Sequence, residues 1–206
     1  MYIPPQFEEV RASEIQRITE HFPLATLICQ KEGEIIANHI PLLWTKPKVM
    51  EGHIAIANPL HTLFPDGTQT LAIFRAQDSY ISPQWYPSKK RTPKHVPTWN
   101  YQVVHMKGHL TFNYTNKAKR RAVGMLTKWH EARHAKPKEW KMSDAPKDYM
   151  DEMLDQIVAF EFAITDIIAK SKVSQNRVAE DYQSVTEKMQ ETDQAFLAQS
   201  MLNLDK

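Results

Sequence analysis

Glycine is scarce in this chain: Gly33, Gly52, Gly67, Gly108 and Gly124 are the five in 206 residues, no two closer than fifteen positions. A G-x-G-x-x-G dinucleotide fingerprint and a P-loop each need several glycines within a few residues, so both are excluded. The G-x-S-x-G nucleophile elbow is excluded on the same ground. Cysteine is scarcer still. The single Cys29 allows no internal disulfide, no C-x-x-C redox pair and no cysteine-built zinc or iron–sulfur site. It lies in the apolar run Leu24-Ala25-Thr26-Leu27-Ile28-Cys29, which predicts a buried small hydrophobe. Long apolar runs are missing too, and none approaches the ~18–20 residues that span a bilayer. The start, Met1 to Glu9, has neither a basic n-region nor an apolar h-region. The expectation is a cytoplasmic chain with no membrane partner, in which the sequon Asn113-Tyr114-Thr115 carries no meaning.

What is present is ordinary for a globular protein: 42% hydrophobic and 24% charged residues. The length suits one domain or two small ones, and we expect a single domain over 1–206. The net charge of +2 conceals an asymmetry. Ser79 to Ser143 holds fourteen Lys/Arg against two acids, a charge of +12, and the remainder carries −10. A basic middle points to an anionic partner, nucleic acid or a phosphorylated ligand, or to opposite faces meeting in a dimer.

Along the chain, Ser13-Glu14-Ile15-Gln16 reads as a capping box for a helix ending near His21. Strands are expected at 24–30, 34–44, 52–57 and 69–76, with a break at Asn58-Pro59. Ser82 to Pro97, with four prolines, reads as an irregular functional loop. Thr98 to His105 and Gly108 to Phe112 read as one long strand or a bent pair. Asn116 is expected to cap a helix to about His134, with a further helix over 144–156 and a strand over 157–164. Ser174 is expected to cap a long C-terminal helix, about 174–204, carrying Val178, Tyr182, Val185 and Met189 on one face. Strands with inserted helices imply an α+β fold around a barrel or strongly bent sheet.

His130-Glu131-Ala132-Arg133-His134 matches the zinc-protease pattern H-E-x-x-H, in which two histidines one turn apart hold the metal and the glutamate acts as base. Its flanks, Thr127, Lys128 and Arg133, are polar, and Pro137 stops the helix. A half-solvated basic helix end fits better than the floor of a protease cleft. No other histidine spacing suits a metal, and no acid–base pair identifies a catalytic residue.

Two clusters carry more. Tyr80 to Arg91, continuing through Lys94 to Tyr101, puts Trp85, Tyr86 and Trp99 beside Lys89, Lys90, Arg91 and Lys94 on one proline-stiffened loop. Flat aromatic surface beside cations suits a planar phosphorylated ligand or single-stranded nucleic acid. We expect these four cations to seat a ligand phosphate in preference to gripping DNA. The second cluster, Ser174-Gln175-Asn176-Arg177, is rich in donors and precedes the last helix, where an anion or a simple cap would both fit.

These stretches, together with Met1-Tyr2-Ile3-Pro4, Asn38-His39-Ile40-Pro41-Leu42-Leu43 and Gly52 to Pro59, resemble the PaiB family of FMN-binding negative transcriptional regulators. So do Val96 to Tyr101 and the Leu126-Thr127 to His130-Glu131 helix. The resemblance implies a six-stranded antiparallel split barrel, a homodimer, and FMN held between subunits. One position departs: Ile56 stands where family members often carry an arginine ahead of Asn-Pro. The residues expected to bind the cofactor are His39, His53, Asn58, Ser82, Trp85, Lys89, Thr98, Trp99, Asn100, Gln175 and Arg177. The function implied is a flavin-binding regulator with DNA as a further partner. The alternatives are a small flavin-dependent oxidoreductase, in which the isoalloxazine does the hydride chemistry, and a haem-binding relative.

Overall fold

The computed structural model describes residues 1–134 and 137–204. Seven strands appear in chain order: β1 (Leu24–Lys31), β2 (Glu34–Pro41), β3 (Leu43–Lys46), β4 (Val49–Ala55), β5 (Gln69–Ile81), β6 (Thr98–Asn113) and β7 (Ile157–Lys172). The helices are α1 (Ala12–His21), α2 (Leu60–Leu63), α3 (Asn116–His134), α4 (Lys147–Asp155), α5 (Ala179–Glu191) and α6 (Ala195–Leu202). The strands form one sheet in the order β2-β1-β5-β6-β7-β4-β3. Its α+β character is as the sequence implies. The seventh strand arises because residues 34–44 are two strands: β2 pairs antiparallel with β1, and β3 with β4. The switch comes directly after Pro41, and the Leu42 N–H donates instead to the Pro23 carbonyl, at 2.9 Å.

By internal packing the described residues divide into two compact units. The first contains Met1–Phe22, Phe74–His105 and the chain from Ile168 onward. Its apolar core joins Ile81, Tyr86 and Val173 to Tyr182, Val185 and Met189 of α5 and Leu197 and Met201 of α6, with Trp85 packed against it. Tyr182, Val185 and Met189 of the expected stripe are buried, whereas Val178 stands just ahead of α5 and is 57% exposed. The single long C-terminal helix is not formed. Asp193 has φ 41°, and the Thr192 hydroxyl bonds back to the Lys188 carbonyl at 2.7 Å, so the chain breaks between α5 and α6. Residues that bond their own backbone compete with helix continuation in this way. Nor does a helix start at Ser174, which takes φ 64° in a turn; α5 begins at Ala179.

A buried polar chain ties this unit together. Gln102 donates to Glu14 and to Ser171, both at 2.8 Å, and accepts from Ser200 at 2.6 Å. Ser171 donates to Glu9 at 2.9 Å, and Arg17 grips both oxygens of Glu14 at 2.8 Å. Every member is hydrogen-bonded, which is what makes such a network tolerable in a core.

The second unit contains Pro23–Ile73 and Met106–Ile167. Glu32 and Gly33, both at positive φ (53° and 86°), make the two-residue turn of the β1–β2 hairpin. Ala25, Leu27 and Cys29 alternate into the core, so Cys29 is buried as expected. β4 pairs antiparallel with β7 from Val49↔Ala163 to Ala55↔Ile157. Gly108 lets β6 pass close to β7: a Cβ there would lie 2.3 Å from the Ala163 carbonyl oxygen. The α3 cap is Thr115, whose hydroxyl accepts the Ala118 N–H at 3.3 Å, one residue before the expected Asn116. Likewise α1 follows Arg11 and shows no side-chain cap from Ser13.

Candidate functional site

In the first unit, the proline-rich loop 82–97 is two short 3-10 turns, Pro83–Trp85 and Pro87–Lys90. Ser82 caps the first, its hydroxyl accepting the Gln84 N–H at 3.2 Å. The loop is fastened to α5 at three points. Ser184 donates to the Trp85 carbonyl at 2.6 Å. Asp181, buried, accepts the Ser88 N–H at 3.0 Å and the Ser88 hydroxyl at 2.6 Å. Arg91 pairs with Glu180. Trp85 is thus turned toward the core, whereas Trp99 at the start of β6 is 52% exposed and meets Tyr80 edge to face at 5.9 Å. Lys90 and Lys94 are exposed and Lys89 is half-buried.

A second concentration of charge lies on the end of β7 and the turn after it. Lys170 is only 8% exposed; its ammonium donates to the Tyr2 carbonyl at 3.3 Å and lies 5.2 Å from the Tyr101 ring. Lys172 donates to the Thr98 hydroxyl. The Arg177 guanidinium sits 4.7 Å over the Tyr86 ring. Burial first, and the charges of Lys170 and Arg177 with it, hold the Lys172 ammonium below its ordinary pKa. Asn100 is wholly buried: its carbonyl oxygen accepts from Ser174 at 3.0 Å and its amide nitrogen has no partner. Gln175 holds the same turn, accepting the Val173 N–H at 2.8 Å and donating to the Ser171 carbonyl at 2.6 Å. It also borders a cleft of ≈ 350 Å³ lined by Glu9, Arg11 and Ser171.

Thr98, Asn100, Gln175 and Arg177 are joined through Lys172, Ser174 and Tyr86 where β6, β7 and the turn meet, whereas Trp99, with Tyr80, lies on the opposite face of β6 from the buried Asn100. Sequence reasoning missed Lys170 and Lys172, and it placed Tyr101 in the aromatic cluster without a role. The signal was a period of two, with Ala169, Ser171 and Val173 buried and Lys170 and Lys172 between them. The polar stretch after Ile164 hid it.

In the second unit, His39 is exposed, with Nδ1 3.1 Å from the Thr26 hydroxyl. The Nδ1 of His53 is buried without a partner, and burial lowers its pKa. Asn58 donates to Asn38 at 2.8 Å and accepts the Leu60 N–H at 3.0 Å, which opens α2. Ile56 is tied through its backbone, donating to the Gln156 carbonyl at 2.8 Å and accepting from His61 at 2.9 Å. On α3 the rings of His130 and His134 stack with centroids 6.2 Å apart, and the Glu131 carboxylate accepts the Trp140 N–H at 2.7 Å. Among the described residues no three His, Cys, Asp or Glu side chains converge as metal ligands, and no helix is long and apolar enough to cross a membrane.

Comparison with known proteins connects these features. The chain is 34% identical to "Protease synthase and sporulation protein PAI 2" of Bacillus subtilis (strain 168), over 92% of this chain and 89% of that protein. In fold it is similar to the FAD and heme binding protein from Mycobacterium smegmatis, with a TM-score of 0.58 at 15% identity, covering 86% of this chain and 79% of that one. It is similar also to the flavocytochrome Anf3 from Azotobacter vinelandii, with a TM-score of 0.57 at 11% identity, covering 86% and 75%. A family model described as "Putative FMN-binding domain" matches residues 1–166, and with a relative of this identity along nearly its whole length the chain belongs to that FMN-binding family.

Proposed function

We propose that the chain is an FMN-binding regulator of the PaiB type that works as a homodimer, its sheet being that of a split barrel. The observation that carries the flavin part is the neighbourhood of Trp99 in the first unit. Trp99 and Tyr80 present flat aromatic surface, and Lys172 at the end of β7 and Arg177 on the turn after it supply cations in the same unit. A planar, anionic cofactor is the group such a set fits. Trp99, Thr98, Asn100 and Arg177 are the residues we assign to holding it, with Tyr80 added. Ser82, Trp85, Lys89 and Gln175 complete the candidate set in this unit, the last of these as a support of the turn; His39, His53 and Asn58 are separate candidates of the second unit. When bound, FMN supplies redox chemistry; the chain's own residues orient it and shield it from water.

The strongly basic segment from Ser79 to Ser143 offers a surface for an anionic partner such as DNA. The purified protein's visible absorption, read with light scattering, tests the proposal. A flavin spectrum on a particle of twice the 24.0 kDa chain mass supports it. A colourless monomer that takes up no added FMN would refute it. Steady oxidation of a nicotinamide cofactor by the flavin-loaded protein would move the reading to the oxidoreductase class.

A further inference from the structure

We propose that Lys170, Lys172 and Arg177 form a seat for a phosphate monoester, which is the phosphate of the flavin nucleotide if the reading above is right. The inference rests on that reading for the identity of the ligand, not for the chemistry of the seat.

The argument begins with where the cations of this unit find their counter-charges. Arg11 pairs with Glu9, Arg17 with Glu14, Arg75 with Asp78, Arg91 with Glu180 and Lys188 with Glu191. Lys170 and Lys172 have no carboxylate within 4.0 Å among the described residues, although Lys170 is the most buried lysine of the unit. Glu8 bridges Lys170 through its backbone but makes no ion pair with it. A carbonyl, a hydroxyl and two aromatic rings are all that face these ammonium groups, and partial dipoles do not cancel a full charge. Five residues on, the turn closed by the Arg177 N–H on the Ser174 carbonyl adds a third cation, its guanidinium stacked on Tyr86, and its charge, with burial and that of Lys170, disfavours the charge on Lys172. Like charges collected at a cost to the fold mark a place where a ligand supplies the missing anion.

The turn that gathers them is built for the purpose. Ser174 adopts φ 64°, a conformation that a residue with a side chain takes only when its surroundings impose it. Asn100 and Gln175 impose it through the bonds described above, and the Arg177 N–H closes the turn on the Ser174 carbonyl at 3.0 Å. Stacking on Tyr86 then fixes the guanidinium. Asn100, Ser174 and Gln175 are positioning residues in this account.

The anion must be more than singly charged to balance such a set. A phosphate monoester carries about −1.5 to −2 at neutral pH with three acceptor oxygens, matching two ammonium groups and a guanidinium fork. The loop cations Lys90 and Lys94 are exposed.

The test uses the full chain freed of flavin, titrated with FMN and with riboflavin, which lacks the phosphate. The variants are Lys172→Met, Lys170→Met with Lys172→Met, the conservative Lys172→Arg, and Lys90→Ala with Lys94→Ala. We expect the wild type to prefer FMN by at least about tenfold, and Lys172→Met to weaken FMN by about 10- to 100-fold with riboflavin unchanged. Lys172→Arg should restore most of the FMN affinity, and a Lys90/Lys94 variant that loses FMN affinity while Lys172→Met keeps it would put the phosphate on the loop and overturn the seat. Lys172→Met should also melt no lower than the wild type, since it removes a disfavoured charge, whereas a merely structural lysine would melt lower. A Lys172→Met or double-lysine variant that keeps the wild-type FMN-to-riboflavin ratio overturns the seat. If the wild type binds neither flavin, the flavin reading fails, and inorganic phosphate decides the seat. Thermal stabilisation by phosphate that Lys172→Met abolishes upholds it, and no stabilisation of the wild type refutes it.

Discussion

Glu14 shows how single residues hold the first unit together. Burial alone would raise its pKa, but the bonds from Arg17, Gln102 and Ser200 and the Arg17 charge outweigh that, so the carboxyl titrates below its ordinary 4.5. A depressed carboxyl contributes stability that is fully present above the unfolded pKa and is lost as pH falls through the folded one. Glu14→Gln should therefore cost about 2–3 kcal/mol at pH 7, the worth of hydrogen bonds to a buried charge. Urea titrations of both proteins should show the gap narrowing as pH drops below about 4.5. A gap that stayed constant with pH would mean the ionised form is not what matters. His130 is a second test at this scale. Burial, then the charges of His134 and Arg133, lower its pKa, and its neighbour Glu131 caps a backbone N–H. His130→Ala with His134→Ala should leave zinc content at background, as in the wild type; stoichiometric zinc lost only in the variant would revive the protease motif.

At the scale of elements, the loop and α5 are a pair. The basic loop carries tryptic sites at Lys89, Lys90 and Arg91 and is held down by Asp181, Ser184 and Glu180. Asp181→Ala leaves the buried Ser88 N–H unpaired and the Ser88 hydroxyl with only the His95 Nε2, 3.0 Å away, a loss of about 1–3 kcal/mol by the usual cost of stranding a buried donor. Tryptic cleavage within 89–94 should then quicken by at least about tenfold, since proteolysis follows the population of the opened loop. Unchanged cleavage would show that other contacts fix it. Two glycines give opposite signs. Gly108→Ala drives a methyl into the Ala163 carbonyl and the Phe162 ring, with an expected loss of about 2–3 kcal/mol or more. Gly124→Ala meets only the flexible Met142 sulfur at 3.4 Å and, inside α3, should gain about 0.5–1 kcal/mol from helix propensity. Chemical denaturation of the pair checks both.

The elements that sequence made legible are those with a strong local period: the Leu24–Lys31 and Gln69–Ile81 strands, α3, and the Tyr182-Val185-Met189 stripe. The misjudged ones turn on tertiary partners. Ser174 looks like a helix cap until Asn100, 74 positions away, takes its hydroxyl. The split of α5 from α6 needs one residue at positive φ, which Asp193 tolerates without announcing it. Lys170 and Lys172 read as solvent-facing charge because burial of an ammonium is decided by strands far apart in sequence.

For the molecule as a whole, the sequence separates a charge of +12 in one segment from −10 elsewhere. Membership of an FMN-binding family and the uncompensated cations on β7 and the turn after it give that imbalance a small-molecule explanation as well as a macromolecular one. Salt discriminates them. DNA gripped through phosphates loses affinity with a log–log slope of about −0.9 per contact, whereas a desolvated phosphate seat is screened far less. The most direct measurement is titration of the flavin-free chain with FMN, followed by flavin fluorescence at two ionic strengths. The account predicts saturation at one FMN per chain with an affinity that changes by less than about tenfold between 50 and 200 mM salt. Failure to saturate with FMN in the presence of a correctly folded chain would contradict it.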